Sequence, residues 1–266
     1  MILRGLFFVL IFLPLMIVTI PLQALIVALR LPVWTVLPRL FHTVARLFLG
    51  LKVKVIGKPA TGRPTLLVSN HISWTDIVAL GSVADLTFVA KSEVRNWFLV
   101  GLLADLQRTI FVDRTRRGDA GRTSREMGVR MASGGAVLLF AEGQSDVGTH
   151  VLPFKTALVG AAQHAMLQGG AKDVMLQPVT IAYTRLQGLP VSRTERSLIA
   201  WIKNRSAGEN IRDVLSGGSK EVTIAFGIPK PLTENSDRKT VTKEAENDVR
   251  RMLVALNRGQ TLPAVE

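Results

Sequence analysis

The sequence predicts an α/β fold: a single largely parallel or mixed sheet flanked by helices, with an N-terminal hydrophobic helical segment that anchors the chain in a membrane. Three observations lead to this prediction. An uncharged apolar stretch opens the chain, short β-rich runs alternate with segments of helical length after residue 50, and 48% of the 266 residues are apolar, enough for a full core. We expect an anchor with a basic juxtamembrane segment at residues 1–50 and a folded domain at residues 51–266.

The apolar stretch at residues 5–29 reads GLFFVLIFLPLMIVTIPLQALIVAL. About 20 apolar residues cross a hydrocarbon core of roughly 30 Å, and a signal-peptide core has only about 7 to 15. Pro14 and Pro21 interrupt helical hydrogen bonding, so we expect either a kinked span or two short helices within one leaflet. Basic residues follow closely, which places the remaining chain on the cytoplasmic face of the inner (plasma) membrane, against anionic headgroups: Arg30, Arg39, Arg46, Lys52, Lys54 and Lys58.

Beyond residue 50, seven β-rich runs are bounded by glycine, proline or polar clusters, which predicts strands. They are KVKVIG (52–57), TLLVSN (65–70), LTFVAK (86–91), TIFVDR (109–114), AVLLFAEG (136–143), MLQPVTIAY (175–183) and EVTIAFG (221–227). Between most of them lie segments of helical length: EVRNWFLVGLLADL (93–106), GRTSREMGVRMAS (121–133) and KTALVGAAQHAMLQ (155–168). This alternation is typical of a largely parallel sheet.

The C-terminal part of the chain gives two further predictions. Apolar residues recur at helical spacing within TVTKEAENDVRRMLVALNR (240–258), which predicts an amphipathic helix packed on the sheet. The polar stretch at residues 203–220, which contains RSAGEN and SGGSK, is typical of a surface loop or insertion.

Charge and composition narrow the class of partner. A net charge of +13 favours an anionic partner, but the chain has one tyrosine and its phenylalanines lie largely in apolar runs, which argues against nucleic acid. There is no cysteine, so disulfides, thiolate nucleophiles and Cys-ligated metals are excluded. The four histidines form no i, i+4 ligand pair and no dense carboxylate cluster accompanies them, so we expect no metal site.

The stretch SNHISWTD (69–76) follows a predicted strand and carries a histidine five residues before an aspartate. Ser73 and Asp76 have the spacing of a capping box, which predicts a helix starting near Trp74 and leaves His71 on the strand-to-helix turn. Asp76 can then accept a hydrogen bond from one imidazole nitrogen and leave the other free to take a proton. The alternative is that Asp76 only caps the helix while His71 bonds a backbone carbonyl.

Four segments in order resemble the four sequence blocks of the 1-acylglycerol-3-phosphate acyltransferase family of glycerolipid acyltransferases. The first block, NHxxxxD, is matched in full by residues 70–76, and the second, Phe-(Ile/Val)-x-Arg at a strand end, by FVDR at 111–114. The third, Phe-Pro-Glu-Gly-Thr-Arg-Ser, is matched in part by FAEGQSD at 140–146. The fourth, an apolar strand with a proline, is matched loosely by QPVTIAY at 177–183.

The resemblance implies that residues 51–266 are a glycerolipid acyltransferase catalytic domain. It would move an acyl chain from acyl-coenzyme A or acyl-carrier protein, without a further cofactor, to the free sn-2 hydroxyl of 1-acyl-sn-glycerol-3-phosphate, forming phosphatidate. His71 would take the hydroxyl proton during attack on the thioester carbonyl, and Asp76 would stabilise the imidazolium. Direct attack is simpler than an acyl-enzyme because no covalent nucleophile is indicated.

The other blocks supply candidates for binding the substrate. Arg114 is expected to hold the acceptor phosphate through a bidentate contact. Glu142 is expected to orient Arg114 or bond acceptor hydroxyls, and Gly143 to let the backbone approach and donate an N–H. A solvated Arg114 and a buried structural glutamate are the open alternatives. The remaining candidates for substrate contacts are Lys91, Lys155 and Pro178.

The third block departs from the family pattern, because Ser145 stands where an arginine is usual. His150, Lys155 or an arginine within residues 114–130 would replace that charge, or the acceptor is not a phosphate monoester. The alternative acceptor is lyso-ornithine lipid, a zwitterion without phosphate, and a membrane-associated scaffold is the non-enzyme alternative. The apolar segment at residues 96–106 would line the acyl path or simply form core.

Overall fold

The central sheet is mixed and carries helices on both faces. The computed structural model describes residues 2–60, 62–112, 129, 135–157, 159–160, 174–202, 205–233 and 235–262. The strands of this described part run in the order β1-β8-β6-β2-β5-β3-β4, and β7 and β9 also pair with β6. Their bounds are β1 (Leu51–Ile56), β2 (Thr65–Ser69), β3 (Leu86–Lys91), β4 (Ile110–Val112), β5 (Ala136–Phe140), β6 (Val174–Leu186), β7 (Leu189–Pro190), β8 (Lys220–Phe226) and β9 (Lys230–Leu232).

The five neighbouring strands β6, β2, β5, β3 and β4 are parallel, whereas β8 is antiparallel to β6 and β1 is parallel to β8. The predicted single largely parallel or mixed sheet is therefore confirmed, and each of the seven predicted runs contains a strand. The two short strands β7 and β9 have no apolar run of their own, which is why the pattern did not reveal them. The carboxyl ends of β2, β5 and β3 lie at one edge of the sheet, and β2 lies directly between β6 and β5.

The helices cover the sheet in two layers. One apolar cluster joins the sheet to α3 and α4, and a second joins the opposite face to α8. The predicted C-terminal helix is confirmed, with Ala245, Val249 and Leu256 buried against the sheet. The helix bounds are α1 (Ile2–Phe7), α2 (Leu13–Ala28), α3 (Val36–Leu49), α4 (Thr75–Gly81), α5 (Val100–Leu106), α6 (Arg193–Ile199), α7 (Ala207–Ser216) and α8 (Arg238–Asn257).

The apolar N-terminal segment is helical from α1 through a π-helical stretch, Phe8–Phe12, into α2. The expectation of two short helices within residues 5–29 is therefore wrong. Pro14 lies in the first turn of α2, directly after the wider π turn that accommodates its missing N–H, and Pro21 lies inside α2. The helix over Gly5–Ala28 is long and apolar enough to cross a membrane, by length and composition.

Four of the predicted stretches need correction or lie outside the described residues. The stretch at 203–220, predicted as loop, contains α7, which opens with a capping box between Ser206 and Glu209. The helix expected at 93–106 is split into a 3₁₀ turn, Ser92–Asn96, and α5, and the interpretation of its apolar residues as core is wrong because Trp97–Val100 are exposed. The helix expected at 121–133 falls, apart from residue 129, outside the described residues, as does most of that expected at 155–168.

Candidate active site

The candidate site lies where β2 and β5 end side by side. Because these strands are parallel neighbours, paired Ser69 to Phe140, the residues that follow them meet at one edge of the sheet. His71 follows β2 and Glu142 follows β5. The backbone N–H of His71 donates to Glu142 Oε2 at 2.7 Å, so the first and third sequence blocks are joined directly.

The predicted histidine–aspartate pair is present in the geometry. His71 Nδ1 lies 2.9 Å from Asp76 Oδ2, and the same oxygen accepts the backbone N–H groups of Ile72 (2.6 Å) and Ser73 (2.9 Å). Asp76 is fully buried in the first turn of α4, while the His71 side chain is 21% exposed. With Nδ1 held by the carboxylate, Nε2 is the ring nitrogen that can take a proton.

The helix opening differs in one detail from the predicted capping box. Asp76 accepts the Ser73 N–H as predicted, but Trp74 is the N-cap, without a side-chain cap. Within the described residues, the buried hydroxyl of Ser73 has no hydrogen-bond partner. The interpretation of Ser73 as a side-chain cap is therefore wrong. Only one of the two hydrogen bonds of a capping box is present, the one from the Ser73 N–H to Asp76, and the same carboxylate also binds the imidazole.

Tyr183 completes the coordination of Asp76 and was missed in the sequence. Its hydroxyl donates to Asp76 Oδ1 at 2.8 Å, and Thr75 Oγ1 lies 2.6 Å from the same hydroxyl, so Thr75 donates to Tyr183. Complete burial, together with the adjacent charge of Asp76, raises the pKa of Tyr183 well above its ordinary value. The signal was its place in the fourth block: it is the one tyrosine of the chain and lies in a buried apolar strand.

Two contacts fix the backbone and ring of the histidine. The side-chain amide of Asn70 donates to the Ile181 carbonyl and accepts the Ile181 N–H, both at 3.0 Å, which fastens the end of β2 to β6. The His71 ring stacks on Phe140, with centroids 4.0 Å apart and an interplanar angle of 19°. Asn70 belongs to the first sequence block and Phe140 to the third. Both residues therefore limit how the imidazole can move.

Glu142 lies buried between two backbone donors. Oε2 accepts the His71 N–H and Oε1 accepts the Leu152 N–H at 2.8 Å. Burial raises the pKa of Glu142 to about 8, and these two hydrogen bonds act in the opposite direction. Gly143 follows with φ of 75°, in the left-handed region that favours glycine. The carboxylate thus holds the strand end in the position that presents His71.

The loop after Gly143 returns to the histidine. The Asp146 N–H donates to the His71 carbonyl at 2.9 Å, and Asp146 Oδ2 lies 3.7 Å from His150 Nδ1. The Ser145 hydroxyl donates to the backbone carbonyl of Trp201. The backbone N–H of Trp201 in turn donates to the Ile72 carbonyl at 3.0 Å. The residue in the slot of the usual arginine is therefore engaged with the backbone, and the next residue is an acid.

The remaining predicted site residues are spread out. The Lys91 side chain is exposed at the end of β3, and Lys155 is exposed, with its N–H donating to the Ala141 carbonyl at 2.8 Å. Pro178 is buried in β6 and packs close to Gly227, and its alternation with Val179 and Ile181 puts it on the sheet face away from α4. Arg114 lies outside the described residues. The structure thus joins His71, Asp76 and Glu142, with Gly143 adjacent, and does not bring Pro178 to them.

Comparison with known proteins assigns the family. Residues 52–182 match the family described as Acyltransferase. The lyso-ornithine lipid O-acyltransferase of Brucella abortus (strain 2308) is 44% identical over 228 residues, which cover 85% of this chain and 85% of that protein. The enzyme of the same name from Rhizobium meliloti (strain 1021) is 39% identical over 249 residues, covering 94% of this chain and 85% of that protein.

A solved structure agrees with the fold. The crystal structure of the 1-acyl-sn-glycerophosphate (LPA) acyltransferase PlsC from Thermotoga maritima matches with a TM-score of 0.59 and 22% identity, over 86% of this chain and 81% of that chain. Fold and comparisons together define an α/β lipid acyltransferase. The chain belongs to the acyltransferase family, as the resemblance of its sequence blocks indicated.

Proposed function

We propose that the protein transfers a fatty acyl chain from acyl-coenzyme A or acyl-carrier protein to the free hydroxyl of lyso-ornithine lipid. The observation that carries this proposal is the identity of 44% and 39% to two lyso-ornithine lipid O-acyltransferases of which this chain covers 85% each. The acceptor that the sequence resemblance put first, 1-acyl-sn-glycerol-3-phosphate, becomes the second candidate. Its support is the basic charge of the chain, +13, and Arg114 in the second block.

The chemistry follows from the geometry of the pair. His71 Nε2 takes the proton of the acceptor hydroxyl while its oxygen attacks the thioester carbonyl, and Asp76 stabilises the imidazolium through Nδ1. Collapse of the tetrahedral intermediate expels the thiolate, which takes the proton back from His71. The products are the ester and the free thiol of the carrier, so protons and electrons balance without another cofactor.

Asp146 supports an acceptor that carries a positive charge. Its N–H donates to the carbonyl of His71, and in this proposal its carboxylate faces the headgroup of the acceptor. Ornithine presents an ammonium group, which a carboxylate attracts, whereas a phosphate monoester would be repelled. Ser145 in the arginine slot removes the cation that a phosphate would need.

Glu142 and Gly143 of the third block act on the substrate indirectly in this proposal. Both Glu142 oxygens already accept backbone N–H groups, so this carboxyl group positions His71 instead of bonding acceptor hydroxyls. Gly143 provides the left-handed turn that leads back toward His71. Lys91 and Lys155, both exposed, face the anionic carrier or headgroups. Pro178 shapes β6 from the opposite sheet face.

The apolar helix completes the proposal. We place the helix over Gly5–Ala28 in the membrane, the basic residues after it against anionic headgroups and the catalytic domain on the cytoplasmic face. A lysolipid acceptor resides in the bilayer, so an anchored domain finds it in two dimensions without extracting its acyl chain.

The test is acyl transfer by membranes that contain wild type or His71→Ala, with lyso-ornithine lipid or lysophosphatidate as acceptor and labelled acyl donors of both kinds. We expect turnover with lyso-ornithine lipid that falls by about 10²- to 10⁴-fold in His71→Ala. Turnover with lysophosphatidate alone would establish the second candidate. If wild type and His71→Ala show the same low turnover with every acceptor, the result would instead support the alternative that the protein is a membrane-associated scaffold.

Asp146 offers a sharper test of the headgroup. In Asp146→Asn the N–H to His71 is retained while the charge is lost, so KM for lyso-ornithine lipid should rise and kcat should change little. The matched control is Asp85→Asn, because Asp85 is an exposed carboxylate beside Arg39 on the turn before β3. An unchanged KM in Asp146→Asn would remove the carboxylate from headgroup recognition.

A further inference from the structure

A short apolar turn projects from the domain between the 3₁₀ turn and α5. Phe98 is 95% exposed, and the neighbouring Trp97, Leu99, Val100 and Leu102 are 43%, 38%, 47% and 47% exposed. Five large apolar side chains within six residues are therefore in contact with the surroundings. Scattered exposed apolar residues are normal in soluble proteins, but a contiguous group marks a surface that contacts something else.

The turn is built rigidly. Leu99 has φ of 62°, a conformation that a leucine rarely adopts, and the Val100 N–H donates to the Phe98 carbonyl at 2.7 Å. The Gly101 N–H donates to the Trp97 carbonyl at 2.9 Å, and a Cβ at Gly101 would lie 2.0 Å from the Arg95 carbonyl oxygen. This close packing holds the turn in place, so the exposure of Phe98 is a property of the fold.

The turn adjoins the apolar N-terminal helix. The side-chain amide of Gln23, in α2, donates to the carbonyl of Leu106 at the end of α5 (3.0 Å) and to that of Trp34 (2.8 Å). The α2 surface that does not pack on the domain is apolar and exposed, at Ile17, Val18, Leu22 and Leu25. The buried Gln23 side chain therefore ties α2 to the end of α5, and the exposed turn leads into the other end of that helix.

Cations flank the turn. Arg95 pairs with Asp105 at 3.1 Å and its guanidinium lies 5.2 Å from the centre of the Phe111 ring. The Arg108 guanidinium lies 5.0 Å from the centre of the Trp34 ring. Segments at a membrane interface often have tryptophan and arginine around an apolar tip. Their rings lie at the depth of the headgroups and their cations contact lipid phosphates.

The turn also connects to the candidate site. The ring centres of Trp97 and Trp201 lie 5.4 Å apart. The backbone N–H of Trp201 donates to the carbonyl of Ile72, next to His71. Trp97 is therefore joined through Trp201 to the residue that follows His71.

We propose that residues 97–102 insert into the hydrocarbon region of the bilayer as a second contact beside the N-terminal helix, and bring the mouth of the site to the lipid surface. The occupant is lipid because the turn leads into α5, which is tied to a helix long enough to span a membrane, and because cations flank the turn. A protein partner would need no such connection to the helix.

Depth measurement tests the insertion without reference to the acceptor. The chain has no cysteine, so Phe98→Cys in the full-length protein gives a single site for a nitroxide label. The control is Ile228→Cys, because Ile228 is 65% exposed and lies just past the end of β8, a strand on the other side of β2 from β3. In lipid nanodiscs with anionic lipid, we expect the label at 98 to collide more with dissolved oxygen than with a water-soluble nickel complex, and the label at 228 to do the reverse. Equal behaviour of the two labels would overturn the proposal.

A kinetic test then links insertion to the site, and this part rests on the proposed acyl transfer. In Phe98→Ser we expect kcat/KM for acceptor in liposomes to fall by about tenfold, with little change for acceptor dispersed in detergent, whereas Ile228→Ser changes neither. An equal loss in liposomes and in detergent would mean that Phe98 serves only the fold. If no lysolipid is acylated by wild type, the proposed function fails while the nitroxide result still stands.

Discussion

At the scale of the residue, Asp76 is the centre of the candidate site because one buried carboxylate satisfies four donors. Oδ2 accepts from His71 Nδ1 and two backbone N–H groups, and Oδ1 accepts from Tyr183. A buried carboxylate is stable only when its lone pairs are used. The same hydrogen bonds that stabilise it therefore fix the carboxylate to which the imidazole is bound.

Tyr183→Phe should lower activity through Asp76 without contact with the substrate. The variant removes the donor to Asp76 Oδ1 and leaves a buried acceptor unpaired, which costs about 1–3 kcal/mol of folding free energy. We expect a lower kcat with KM for the acceptor unchanged, since Tyr183 lies beneath the pair. Thr75→Val is the control because Thr75 reaches Asp76 only through Tyr183. A larger loss in Thr75→Val than in Tyr183→Phe would contradict this order of action.

Glu142 gives the protein a pH-dependent stability. Its pKa is raised by burial from 4.5 to about 8, so the folded protein keeps a proton that the unfolded chain releases. The stabilisation by protonated Glu142 is complete below pH 4.5 and is lost as the pH rises toward 8, by about 1.4 kcal/mol per pH unit.

Glu142→Gln removes this titration and provides the measurement. We expect the free energy of unfolding of wild type, measured against that of Glu142→Gln in the same detergent, to decrease as the pH rises from about 5 to about 7. Glu195→Gln is a control for the loss of a carboxylate, because that side chain is exposed and its pKa is lowered, not raised, by the Ser192 hydroxyl and backbone. Parallel curves for wild type and Glu142→Gln would show that Glu142 does not retain the proton.

At the scale of the element, the site depends on a loop whose path is set by one glycine. Gly148 has φ of 72°, and its N-terminal neighbours carry the Asp146 contact to His71. A Cβ at this position would lie 2.5 Å from Ile72 Cδ1, and the Gly148 carbonyl accepts from Asn257 at 3.0 Å. The loop is thus clamped between the residue after His71 and the end of α8.

Gly148→Ala should therefore damage activity, whereas Gly188→Ala should not. Both glycines are left-handed, so each substitution costs about 1–2 kcal/mol of backbone strain. At Gly188 a Cβ meets nothing within 4 Å, while at Gly148 it would lie 2.5 Å from the buried side chain of Ile72, the residue that follows His71. The measurement is kcat beside the thermal unfolding midpoint for both variants. Equal kcat in the two would show that the loop does not control the site.

The elements also show what the sequence pattern could and could not predict. Strands such as β2 and β5 are continuous apolar runs bounded by polar residues, and α8 has a clear helical period, so local patterns were sufficient for them. The stretch that holds α7 was predicted as loop because its composition is polar, although Ser206 and Glu209 have the spacing of a capping box. The contact from Tyr183 to Asp76 joins residues 107 apart, and no local pattern encodes which strand will lie beneath the histidine.

At the scale of the whole molecule, the apolar N-terminal part does not end where the composition changes. The α3 helix, inside the residues first assigned to the anchor, buries Ala45 and Leu49 in the same apolar cluster as Leu80 of α4. The packing is close: a Cβ at Gly81 would lie 2.4 Å from His42 Cδ2. By contrast, α2 exposes five large apolar side chains: Leu13, Ile17, Val18, Leu22 and Leu25. The boundary at residue 50 stays a prediction, and this packing argues for a boundary before α3.

Two truncations distinguish the boundaries. Deletion of residues 1–35 removes α1 and α2, and we expect a domain that still unfolds cooperatively in mild detergent and sediments less completely with vesicles. Deletion of residues 1–50 also removes α3 and uncovers the apolar face of α4. Each large apolar side chain uncovered costs about 1.5–3 kcal/mol, a large share of the roughly 5–15 kcal/mol by which domains are stable. The shorter protein should therefore lose its unfolding transition, as followed by circular dichroism. If both truncated proteins unfold at the same midpoint, α3 belongs to the anchor, and the catalytic domain begins at residue 51 as the composition indicated.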